Sequence, residues 1–185
     1  MRKKLLWMTE TAIMLALLVT LQYLTKPMGQ LVTGSFVNAV LAITVLVAGL
    51  ASGMTVALIS PILAYLLGIA PQILTVPAIM VGNCVYIVAL YFIAGKRNGK
   101  DLTHIIRQVA AWLVAAVVKF ATLYAIVVLL ICGVLSQRLL ASGTMKPPML
   151  KMLPATFSWP QLFTALIGGA VALAIVPVLR KALKK

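Results

Sequence analysis

The chain is expected to fold as an all-α integral membrane protein of six transmembrane helices, with both termini in the cytoplasm. Three observations lead there. Mean hydropathy is +1.13 and 63% of the 185 residues are hydrophobic, whereas soluble domains rarely exceed about half apolar. Apolar runs of about 18 residues recur along the sequence, each able to cross roughly 30 Å of hydrocarbon. The charges are nearly all basic, 16 Lys+Arg against 2 acidic residues, and they gather at the ends of those runs. The net charge of +14 therefore describes the flanks of membrane helices rather than a nucleic-acid surface.

The first span is expected at about 5–24. It follows Met1-Arg2-Lys3-Lys4 and carries no A-x-A cleavage signal, so it reads as a retained signal anchor. The second, about 35–50, and the third, about 53–69, are separated only by Ala51-Ser52-Gly53 and should form a tight hairpin. Pro61 should kink the third. The fourth is expected at about 76–94. The fifth, about 105–135, is longer than a bilayer needs. It either tilts or begins at the interface with the turn around His104-Ile105-Ile106-Arg107-Gln108. The sixth, about 160–179, carries Gly168, Gly169 and Ala172, small residues suited to close helix packing, as does Gly82 in the fourth. The spans form a single membrane domain over 1–185.

Orientation follows from the positive-inside rule. With the N-terminus inside, cytoplasmic segments hold Arg2, Lys3, Lys4, Lys96, Arg97, Lys100, Arg107, Arg180, Lys181, Lys184 and Lys185. External segments hold only Lys26, Arg138, Lys146 and Lys151. Three external loops follow: TKPMGQLVTG, APQILTVP and SQRLLASGTMKPPMLKMLPATFSW. Pro27, Pro71, Pro147, Pro148 and Pro154 stiffen them, and loops of such length are often lids.

Several chemistries lack their residues. No G-x-x-x-x-G-K-[ST] is present, so ATP hydrolysis would fall to other chains. There is no H-E-x-x-H and only one histidine, His104, so no metal site, cofactor or catalytic group is expected. Cys84 and Cys132 lie in apolar runs and read as small buried hydrophobes. The acids are Glu10 and Asp101; neither is mid-membrane, which disfavours a carboxylate proton or sodium relay.

Lys119 stands out against this background, inside AAWLVAAVVKFATLYAIVVLL. A charge deep in a bilayer is costly and normally faces a cavity, a partner or a ligand. It could also snorkel to the interface or sit uncharged. If it faces a ligand, a carboxylate or phosphate is the natural partner. Lys26, Arg138, Lys146 and Lys151 would then attract anions toward it, or could be plain solvated loop charges.

Span one contains Ala12-Ile13-Met14-Leu15-Ala16, an A-x-x-x-A. Further on come GSFVNAVLAITVLVAGLASGMTVALISPILAYLLGIAPQ and VPAIMVGNCVYIVALYF, with a Gly-rich hairpin, a Ser-Pro and a Gly-Asn. Together these resemble the substrate-binding S component of an energy-coupling factor (ECF) vitamin transporter, over essentially the whole chain. The resemblance implies a prokaryotic plasma-membrane, multi-pass subunit that is not an enzyme. It implies as partners one transmembrane coupling subunit, two ATPase subunits and a vitamin-like small molecule, with no nucleic acid. Ala12 and Ala16 would let the coupling helices of the transmembrane partner approach closely. Substrate would bind from outside, the first external loop would close as a lid, and the loaded protein would topple in the membrane to release inside.

By that resemblance the site lies in the outer half, beneath the external loops. Candidate substrate-binding residues are Lys119, Thr122 and Tyr124 of span five, Asn83 and Tyr86 of span four, Asn38 of span two, and Gln22 and Tyr23 of span one, with Gln72, Trp159 and Gln161 near the loops. Asn83 and Tyr86 are three apart and share a helix face. This is a mainly apolar pocket with a few orienting polar groups. Asn83 could instead bond between helices, and Tyr23, Tyr86 and Trp159 could be packing or interface aromatics. The expected ligand is an anionic vitamin or cofactor precursor. Pantothenate, lipoate, biotin or a folate fits the charge, and thiamin and metal ions fit poorly. Two other classes compete: a stand-alone carrier or channel, which would need a repeat or a dimer, and an intramembrane enzyme, which would need a nucleophile with its base.

Overall fold

The computed structural model describes residues 2–69, 72–95 and 102–183, with side chains from residue 4 onward. Pro71, Lys96, Arg97, Lys100, Asp101, Lys184 and Lys185 lie outside the described residues, as do the side chains of Arg2 and Lys3. The described residues form helices and turns: α1 (Arg2–Thr25), α2 (Gln30–Ala48), α3 (Leu50–Leu66), α4 (Val76–Ala94), α5 (Leu102–Leu123), α6 (Ser136–Ala141), α7 (Met149–Phe157) and α8 (Trp159–Ala182).

Five helical stretches are long and apolar enough to cross a membrane: 4–28, 30–48, 73–94, 102–134 and 149–182. α3 is apolar but only 17 residues long, about 26 Å at 1.5 Å per residue. It packs against α1, α2 and α4 as a shorter member of the bundle. Large apolar side chains such as Leu17, Ile62, Val117 and Ile167 point outward, as expected where lipid rather than water is the surrounding solvent.

The hairpin between α2 and α3 turns at Gly49, just ahead of the expected Ala51-Ser52-Gly53 link. Gly49 has φ +89°, a conformation that costs glycine little and other residues much. Ser52 and Gly53 are instead buried inside α3. A Cβ on Gly53 would meet Val45 Cβ at 3.0 Å and Ile87 Cγ2 at 3.1 Å. That glycine serves the contact of α3 with α2 and α4.

The first and third of the loops expected to be external are far shorter than their sequences suggest. α1 and α2 are joined by a single 3-10 turn, Lys26–Met28, and Gly29. The Thr33 hydroxyl donates to Thr25 O at 2.8 Å and pins that turn. The third segment folds into α6 and α7. Met149, Leu153 and Phe157 of α7 repeat every four residues and are buried, so the Met- and Leu-rich stretch is an amphipathic helix. It packs on Tyr124–Val134, where α5 continues as an 11-residue π-helix. With i→i−5 bonding, residues four apart nearly eclipse, and Leu123, Val127 and Ile131 form one buried row.

Neighbour relations close a ring: α1 touches α3, α3 touches α4, α4 touches α5, α5 touches α8, α8 touches α2, and α2 returns to α1. The tightest crossing is α2 on α8. A Cβ at Gly168 would lie 2.5 Å from Ser35 O and 2.7 Å from Ala39 N, so the two backbones touch there. At the end of the bundle that holds the termini, arginines cap helices. Arg107 Nε donates to Ile93 O at 2.5 Å and an Arg180 guanidinium nitrogen donates to Leu46 O at 2.6 Å. Cations at helix C-termini meet both the orphan carbonyls and the helix dipole.

Candidate functional site

At the end of the bundle opposite the chain termini lies a cavity of about 170 Å³. Every helix of the ring contributes to its wall: Gln22 from α1, Asn38 from α2, Ser60 and Pro61 from α3, Asn83 from α4, Lys119 and Leu123 from α5, and Gln161 from α8. Thr156 and Phe157 of α7 and the Lys26–Gly29 turn also border it.

Lys119 is 3% exposed. Its ammonium donates to Asn38 Oδ1 at 2.5 Å and Asn83 Oδ1 at 2.7 Å, and stands 5.3 Å from the Tyr86 ring centroid. Among the described residues these amide oxygens are its only hydrogen-bond partners. A buried charge normally requires a paired charge as well as hydrogen bonds. Two neutral amides and a ring face leave positive charge uncompensated, and a third N–H unused.

The lysine also fixes which way the amides point. An ammonium only donates, so both amide oxygens must face it. The Asn38 amide nitrogen is thereby turned toward Thr164 Oγ1, at 3.2 Å, and that hydroxyl donates in turn to Gln161 O at 3.1 Å. The Asn83 amide nitrogen has no partner although Asn83 is 1% exposed. The outcome is an ammonium N–H and an amide N–H held side by side at a cavity wall, which suits two oxygens of one anion. We expect Thr164→Val to keep the shape and orphan the Asn38 nitrogen, lowering stability by roughly 1–3 kcal/mol. A thermal melt in detergent measures it.

The structure brings Lys119, Asn38, Asn83, Gln22 and Gln161 together around this cavity. Tyr86 is fully buried beneath the ammonium rather than at the cavity wall, with its hydroxyl unpartnered. The remaining candidates stand outside the wall. Gln72 precedes the turn into α4 and accepts there from the Thr75 hydroxyl through its backbone oxygen. Thr122 bonds its own helix at Val118 O. Tyr23 and Trp159 are each 63% exposed, and Trp159 stacks on Phe120, which also meets Tyr124. Phe120, Tyr124 and Trp159 make a surface cluster of the kind found at membrane interfaces. Thr33, Ser60 and Thr156 line or border the cavity unanticipated; each looks in sequence like an ordinary helix hydroxyl. Ala12 and Ala16 are exposed on α1.

Neither a curated relative nor a solved structure matches the chain. The family model described as the ECF transporter substrate-specific component matches residues 7–180. Members of that family are substrate-binding transport subunits rather than enzymes, embedded in the membrane. With nearly its whole length covered, this chain belongs to the ECF transporter substrate-specific component family.

Proposed function

We propose that this chain is the high-affinity binding subunit of an ECF-type importer, and that its cargo is a small carboxylate of the size of a vitamin or cofactor precursor. The observation that carries the charge of the cargo is the Lys119 ammonium, buried at the cavity with neutral partners only. A carboxylate there would supply the missing counter-charge. Its two oxygens would take the third ammonium N–H and the free Asn83 N–H. Pantothenate, lipoate, biotin or a folate would supply that carboxylate. Thiamin, a cation, is disfavoured by the same charge.

The rest of the reading follows the family. All six apolar helices span the membrane as one domain, with both termini cytoplasmic, so that the cavity opens outward. Basic residues at the ends near the termini support that orientation. Substrate enters from outside, and the loaded subunit topples to release inside. Energy comes from two partner ATPases coupled through a transmembrane subunit.

The exposed Ala12 and Ala16 on α1 form a small-xxx-small surface where a coupling helix could approach. We expect Ala12→Leu/Ala16→Leu to keep ligand affinity within about twofold while recovery of the transmembrane and ATPase subunits on co-purification falls severalfold. Co-purification at the wild-type level would remove this surface from the account. A wild-type chain that transports alone in liposomes would overturn the subunit reading.

A further inference from the structure

The cavity wall holds a second orphan, on a different helix from the lysine. Gln22 is 9% exposed, and its Oε1 is buried without a hydrogen-bond partner. Leaving such an atom unsatisfied costs about as much as a lost hydrogen bond, and native interiors rarely tolerate it. The other unpartnered atom at the cavity wall is the Asn83 amide nitrogen. One orphan is thus an acceptor and the other a donor.

Their placement matters as much as their identity. Gln22 is on α1 and Lys119 on α5. α1 and α5 share no substantial contact, so the two groups come to the cavity from separate parts of its wall, whose lining also includes the apolar Val37, Pro61, Ala64 and Ile79. Lys26 borders the same cavity, but its ammonium is engaged by Gly68 O at 2.5 Å and is exposed.

We propose that the ligand is bipolar. A carboxylate sits at Lys119 and Asn83, an apolar middle crosses the cavity, and an uncharged hydroxyl or N–H at the far end donates to Gln22 Oε1. Gln22 is then a specificity-determining residue: it selects among carboxylates by what their other end carries. This rests on the carboxylate reading above and adds the second pole. A site built around a hydrogen bond rejects an analogue that lacks the matching group, because the protein's own polar atom is left unpaired.

The test is equilibrium binding by calorimetry on the purified full chain, with pantothenate, biotin, lipoate and thiamin as probes. Pantothenate carries hydroxyls, and biotin ureido N–H groups, at the end remote from the carboxylate. The dithiolane of lipoate offers no donor. The expected result is that pantothenate or biotin binds on the order of tenfold to a hundredfold tighter than lipoate, and that Gln22→Leu brings the ratio close to one. If lipoate binds as tightly as the other two, the second pole is wrong while the carboxylate reading survives. The wild-type comparison alone decides this, whatever the variant's folding. If none of the three carboxylates binds, or only thiamin does, the carboxylate reading fails and the bipolar ligand fails with it.

Discussion

Lys119→Met is expected to weaken ligand binding by at least about 30-fold, the lower end of what truncating one member of a buried charge pair costs. The methionine fills similar space, so the cavity keeps its shape. What disappears is the positive charge and the group that orients Asn38 and Asn83. In the empty protein the same change removes an expensive buried charge and leaves two amide oxygens without a donor. These effects oppose one another, so stability should shift much less than affinity. That contrast separates a ligand-binding lysine from a structural one. A structural lysine would give a large fall in melting temperature with little change in affinity for whatever ligand remains bound. Calorimetric titration and a thermal melt, run on the same preparation, report both. Lys119→Arg should not rescue binding, since a planar guanidinium with five donors cannot occupy a pocket built around two amide oxygens and a compact ammonium.

Gly168→Val is expected to be the most damaging single substitution in the bundle. A Cβ at that position would fall 2.5 Å from Ser35 O and 2.7 Å from both Ala39 N and the Asn38 Cβ. Two of those three atoms are backbone, which cannot swing aside as a side chain can. α2 and α8 must separate, and the separation starts at Asn38, one of the two acceptors of the lysine. Over-packing of this kind costs roughly 1–3 kcal/mol or more, which in a domain of this size lowers the melting temperature by several degrees. Binding should fall with it, because Asn38 and Thr164 lie on the two helices being forced apart. Gly29→Ala provides a contrast. A Cβ there meets nothing within 4 Å, so its cost is the backbone strain of φ +86° alone, without displacement of the cavity wall.

Much of the cavity's polar wall could be read from the sequence because membrane burial makes polar residues conspicuous. Lys119, Asn83 and Asn38 are widely separated in sequence and each interrupts an apolar run; the fold places all three within hydrogen-bond reach. α4 spans the residues expected of it, Val76–Ala94, because Pro77 in its first turn and the positive-φ Gly95 after its last bracket it. The rest was hidden for identifiable reasons. In lipid both faces of a helix are apolar, so hydrophobic periodicity does not give its rotation. Tyr23, Tyr124 and Trp159 therefore carried the same signal as Tyr86, yet they are exposed while Tyr86 is buried. α7 was concealed by its prolines, although Pro154 sits inside the helix. The turn at Gly49 competed with Gly53, and only the φ of +89° distinguishes a glycine that bends the chain from one that lets helices touch.

The proposed function turns on a buried ammonium that binds an anionic cargo in this cavity. Native mass spectrometry of gently purified protein, wild type beside Lys119→Met, tests it most directly. A small adduct of defined mass, carrying a carboxylate, is expected on the wild-type chain and is expected to be lost from the variant. A cationic or neutral adduct, or an adduct held equally by both proteins, would contradict it.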